Sequence, residues 1–141
     1  MTRVMNATIA LAFALCAAQA YAEDTVGSIL DGGGKKLSAD EFNAELGGKS
    51  VSGTWQGGTF RHDFMEGGKL GGSLTGTMGT GAINGTWKAA DTGQVCIDYT
   101  IGIRKRPGGS CAYYFKAGDQ YFSSKSDADK AAHALPLKIN K

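Results

Sequence analysis

"VCIDYTIGIRKRPGGSC", residues 95–111, decides the fold. Val95, Ile97, Tyr99, Ile101 and Ile103 alternate with Cys96, Asp98 and Thr100. A period of two marks a strand with one buried and one wet face. Cys96 therefore points outward with Asp98 and Thr100. Cys111 ends the stretch, and two facing residues of one antiparallel hairpin suit a disulfide. Arg104, Lys105 and Arg106, followed by Pro107 and two glycines, read as a basic turn at the hairpin tip.

The same period runs outward on both sides. Val51, Gly53 and Trp55 share one face, as do Phe60, His62 and Phe64. Leu70, Gly72, Leu74, Gly76 and Met78 line a third strand, and Ile83, Gly85 and Trp87 a fourth. Ala112 and Tyr114, the stretch around Tyr121, and Leu135, Leu137 and Ile139 follow. "QGG", "EGGK", "GTG", "ADTG", "RPGG" and "KAGD" supply the turns. The expected fold is mostly β: a small antiparallel meander of seven to eight strands closing into a lipocalin-like barrel or half-barrel. Trp55, His62, Trp87 and Tyr99 are its candidate interior. Glycines at inward positions let large residues fill a narrow barrel, which the short chain favours, or they leave a ligand cavity.

One helix precedes the strands. Ser38 as N-cap and Glu41 three residues on form a capping box, Phe42 and Leu46 share a face, and Gly47 ends it. This helix, residues 38–46, is expected to cover an end or edge of the barrel. Residues 23–37, ending in "DGGGKK", read as a flexible N-terminal segment with at most one loose turn around "VGSIL", and 38–141 as one domain.

The first 22 residues read as a signal peptide: Arg3, the apolar run "ATIALAFALCAA", and "AYA" with cleavage after Ala22. The run is too short for a membrane span, so no transmembrane anchor is expected. Cleavage removes Cys16 and leaves Cys96 and Cys111, which in a periplasmic or secreted chain pair as a disulfide. It also removes Arg3, taking the formal net charge from +2 to +1 and leaving no global field for nucleic acid. Twenty-two glycines against two prolines argue for tight turns and close strands.

Catalytic chemistry finds no set of residues. "RHDFME", 61–66, offers His62, Asp63 and Glu66, but alternation sends His62 and Asp63 to opposite faces. The blander reading of His62 is a core or rim histidine hydrogen-bonded locally. Two cysteines and two histidines, His62 and His133, do not make a metal centre, and no cofactor is expected. "CAYYF", 111–115, is aromatic on both faces; the outer one is expected to pack on helix 38–46 or the disulfide. Arg104, Lys105 and Arg106 are the one dense charge run and the candidate contact for an anion or partner.

"LSADEFNAELGGKSVSG", "GGKLGGSLTG", "GTWKAADTGQVCIDY" and "CAYYFKAGDQYF" occur in this order over about residues 37–124. The arrangement resembles the exported proteobacterial domain-of-unknown-function family 995, most specifically in Gly85 and Trp87 followed by Cys96 and Cys111. The resemblance implies export and a β-rich fold, and no activity. A second likeness, architectural only, is to small lipocalin-like inhibitors of metalloproteases, with residues 23–37 as the segment entering a protease cleft. The expected function is a non-enzymatic binding or envelope-associated module, with a periplasmic protease inhibitor as the alternative. Its partner would be an envelope component, a small ligand or a protease.

Overall fold

The structure, a computed structural model, describes residues 24–77 and 79–140. The expected signal peptide with Cys16, and Met78, lie outside the described residues.

Helix α1 (Val26–Asp31), strand β1 (Lys35–Lys36) and helix α2 (Ala39–Glu45) precede eight longer strands. These are β2 (Ser50–Trp55), β3 (Gly58–Met65), β4 (Lys69–Thr75), β5 (Gly81–Ala89), β6 (Gln94–Ile101), β7 (Arg106–Ala117), β8 (Gln120–Ser124) and β9 (Leu135–Asn140). Every pairing is antiparallel. The order runs β7-β6-β5-β4-β3-β2-β9-β8, and β8 pairs back onto β7. The meander is thus a closed eight-stranded barrel, which leaves no open edge. Strand β1 adds a short rung on β7 opposite Lys116 and Phe115.

Register sets the width of this barrel. Ala117 faces Gln120, one step beyond the Tyr121–Leu137 pair on β9. Lys138 then faces Ser52, Ser52 Arg61, Arg61 Ser73, and Ser73 Ala82. Ala82 accepts from the Gly102 amide, and Gly102 turns to Lys105. One circuit therefore returns to the same strand direction 117 − 105 = 12 residues from its start. Stagger, tilt and diameter rise together. Eight strands with a stagger of eight enclose a core packed with side chains, so a stagger of twelve leaves room beyond it.

The periodicity places the expected faces inward. Val51, His62, Phe64, Leu70, Leu74, Ile83, Val95, Ile97, Tyr99, Ile101, Tyr114 and Leu137 are buried. Large residues stand against glycines: His62 faces Gly72, Phe60 faces Gly53, and Tyr99 faces both Gly85 and Gly108. A Cβ on Gly108 would sit 2.5 Å from the Tyr99 ring, so Gly108 is there for the close approach. Ile103 departs from the expected face. The strand ends at Ile101, Gly102 takes a φ of 64°, and Ile103 is fully exposed at the tip.

The tip itself is shorter than expected. The turn is Gly102 to Lys105, and Arg106, Pro107 and both glycines belong to β7. The Cα atoms of Cys96 and Cys111 lie 4.0 Å apart, the mark of a non-hydrogen-bonded pair. Pro107, four residues away on the same strand, is of the same kind, so its missing N–H costs no ladder bond. The disulfide Cys96–Cys111 is formed, on the outer face as the alternation requires.

Helix α2 begins with its capping box: Ser38 Oγ accepts from the Glu41 amide and Glu41 accepts from the Ser38 amide. It plugs one end of the barrel. The Phe42 ring packs edge-on against Phe64, Trp87 and Tyr114 at 5.1, 5.6 and 4.8 Å. Backbone bonds from Leu37 to Tyr114 and from Gly48 to Phe64 anchor the plug on both sides.

Residues 24–37 correct the expectation of a flexible segment. Thr25 caps α1 with Ser28, and Val26, Ile29 and Leu37 are buried. "VGSIL" puts its apolar residues on one helical face, and the outer wall receives them through Phe115 of β7 and Phe122 of β8, with Ala134 from the link before β9. The outer face of "CAYYF" thus packs on α1, while α2 takes the inner face through Tyr114. Lys36 bonds Asp127 at 2.6 Å, which fastens the segment further. Residues 25–37, the segment an inhibitor would insert into a protease, lie packed against the outside of the barrel.

Candidate functional site

Alternate connections of an up-and-down barrel lie at the same end. The links 66–68, 90–93 and 118–119 lie at the plugged end with α2. The links that follow β2, β4 and β6 surround the other end, which is open, together with Lys125 and His133 at the two ends of link 125–134. The middle of that link runs along the outer wall, where Lys36 bonds both Asp127 and the Thr92 carbonyl. Behind the open end is a cavity of about 340 Å³. The expected filled interior is half right: side chains fill the barrel up to Tyr114, and the stagger leaves the rest hollow.

Opposed walls shape the cavity. On one side stand Trp55, Phe60, His62, Leu74 and Tyr99; on the other, β7 and β8 offer Ser110, Ala112 and Ser123. The inward positions of β7 read Gly108, Ser110, Ala112, a stripe of small residues. Ser110 and Ala112 of that stripe leave room in the cavity, while the Tyr99 ring takes the space at Gly108. Lys125 and His133 stand at the mouth, with the Lys125 Nζ 5.3 Å from the centre of the Trp55 ring. Ser124 Oγ donates to the His133 carbonyl at 2.8 Å and holds the last connection over the rim.

The candidate interior residues divide between the two ends. His62 and Tyr99 face the cavity with their rings 6.5 Å apart. Trp55 is at its rim and 39% exposed. Trp87 belongs to the plug: its indole N–H donates to the Met65 carbonyl at 3.0 Å. Both tryptophans close a Gly-Thr-Trp run, but β2 runs toward the open end and β5 away from it. Arg104, Lys105 and Arg106 stand at one point of the same end without lining the cavity. Phe60, Ser110, Ala112, Lys125 and His133 were not singled out as site residues in the sequence. The small inward triplet on β7 was the available signal.

His62 is the chemical anomaly. It is 8% exposed, lies against Phe60 at 4.8 Å, and its buried Nδ1 has no hydrogen-bond partner among the described residues. The expected local hydrogen bond is missing at that atom, because both flanking strands present no polar group: its partners in register are Val51 and Gly72. An unpaired buried nitrogen is costly in an otherwise satisfied fold. Burial also lowers its pKa to about 4, which keeps the ring neutral near pH 7. Asp63 points outward, bonded by Arg61 at 3.1 Å. Burial likewise raises the Tyr99 hydroxyl pKa.

A pH dependence follows. The unfolded histidine titrates near its ordinary 6.5, the folded one near 4, so acid favours the unfolded chain. This part of the stability is complete above about pH 6.5 and falls away as pH drops toward 4. At ~1.4 kcal/mol per unit, and with cavity water relaxing part of the burial, the loss is ~2–3 kcal/mol. Urea midpoints of the wild type and His62→Leu, compared between pH 7.5 and 4, should show the wild type losing that much more. Parallel curves would contradict the assignment.

A second recess lies on the outer wall, where β2 runs on past its last β9 pair at Ser52. It is more open than the cavity and lined by Ser52, Arg61, Ser73 and Lys138 together with Phe60, Pro136 and Leu137.

Fold and site together define a class: a small up-and-down β-barrel stapled by one disulfide, plugged at one end and hollow at the other. No family model, curated protein or solved structure matches the chain. Among the described residues, no helix is long and apolar enough to cross a membrane.

Proposed function

We propose that this chain is an exported, non-enzymatic binding module whose barrel takes one small, largely apolar ligand through its open end. The observation that carries this reading is the cavity of about 340 Å³ with the unpaired Nδ1 of His62 in its wall. Its size and its few polar groups on apolar walls fit a small-molecule site. A neutral, aromatic or aliphatic molecule with one hydroxyl suits it, because the charged Lys125 of the lining stands at the mouth and His62 offers its unpaired Nδ1 inside. Export is supported by the leader and by the disulfide, which persists in oxidising compartments. We also infer membership of family 995, on Gly85, Trp87, Cys96 and Cys111; that family supplies no activity to transfer.

Filling the void tests the reading. Ala112→Phe places a ring across the cavity from Phe60 and His62. Titration with 1-naphthol and decanol, followed by Trp55 fluorescence, should saturate for the wild type and weaken at least tenfold for the variant. Equal behaviour of the two proteins would refute the site.

A further inference from the structure

Of the large hydrophobic side chains that are exposed among the described residues, Trp55 and Ile103 belong to the open end. Ile103 is held out. Lys105 and Gly102 take positive φ of 49° and 64°, and the Lys105 amide donates to the Gly102 carbonyl at 3.2 Å. Ile101, two residues earlier, is buried, whereas Ile103 sits at the centre of the turn that Gly102 and Lys105 close.

Cations flank each of these side chains separately. Arg104, Lys105 and Arg106 make no ion pair among the described residues, and Lys125 lies over Trp55. The end therefore presents apolar tips set among unneutralised positive charge. A soluble polyanion would use the charges and leave Ile103 in water. A lipid surface uses both.

We propose that the open end docks on an anionic phospholipid surface. Ile103 enters the boundary between headgroups and acyl chains, Arg104, Lys105 and Arg106 pair with lipid phosphates, and Trp55 sits at headgroup depth. Basic residues beside such a surface each add attraction that salt screens, and tryptophan favours that depth. The docking needs no ligand in the cavity, so it stands apart from the binding reading.

Sedimentation of the full mature chain with vesicles tests it. Vesicles of phosphatidylcholine mixed with phosphatidylglycerol should carry the protein down, and pure phosphatidylcholine should not. Arg104→Gln, Lys105→Gln and Arg106→Gln together should weaken binding on the order of a hundredfold. Ile103→Ser, whose side chain is wholly exposed, should weaken it about tenfold and leave the thermal melt unchanged. Binding to heparin, by contrast, should be unmoved by Ile103→Ser. No binding to the mixed vesicles, or vesicle binding unaffected by Ile103→Ser, would overturn the proposal.

Discussion

Phe42→Ala should cost ~3–5 kcal/mol, the range for deleting a fully buried aromatic ring. Phe42 is wholly buried and touches Phe64, Trp87 and Tyr114, all edge-on. Such edge pairs add ~0.5–1.5 kcal/mol each beyond area burial. The rest of the loss comes from the void left at the barrel's end. Helix α2 has seven residues and cannot hold itself together in water without its packing. Its amides should therefore lose hydrogen-exchange protection well before those of β6. Phe42→Leu keeps much of the volume and should retain more than half of the lost stability. Against the ~5–15 kcal/mol of a typical domain, the alanine change approaches global unfolding. Urea denaturation of both variants measures it, and a loss under ~1 kcal/mol would show that α2 is not the plug.

Removing the disulfide by Cys96→Ser with Cys111→Ser should cost ~3 kcal/mol. The cross-link spans 15 residues, and the chain-entropy account assigns that stabilisation to a loop of this length. The melting temperature should fall by roughly 10 °C. Binding of 1-naphthol should stay within about twofold, since both sulfurs lie outside the barrel wall and the inward neighbours Val95, Ile97, Ser110 and Ala112 remain paired. Loss of binding at unchanged melting temperature would assign the cysteines to the site instead.

Much of this architecture was legible in the residues. The alternation from Val95 to Ile101 set face and strand together, and it placed Cys96 outward. The capping box of Ser38 and Glu41 fixed α2 to within a residue. Three features were not legible. Residues 24–37 look polar and glycine-rich, and Val26 and Ile29 become core only because the outer wall carries Phe115 and Phe122. The turn at 102–105 was hidden because Pro107 and two glycines imitate turn chemistry, while their real service is to a non-hydrogen-bonded position and to the Tyr99 ring. The cavity depends on a stagger of twelve, which no single strand records; it emerges only when all eight registers are joined.

The candidate site was legible in part for the same reason. His62 and Tyr99 were readable as interior residues from their own strands. Their separation from Trp87, and their meeting with Ser110, Ala112 and Lys125, required the closed circuit.

The central claim is that the barrel is solid at the α2 end and hollow at the other. The most direct measurement is an amide and aromatic NMR titration of the mature chain with 1-naphthol. The structure predicts saturable shifts at Phe60, His62, Tyr99, Ser110 and Ala112, with Phe42, Phe64 and Trp87 unmoved. Absence of saturable shifts, or shifts centred on the Phe42 cluster, would contradict it.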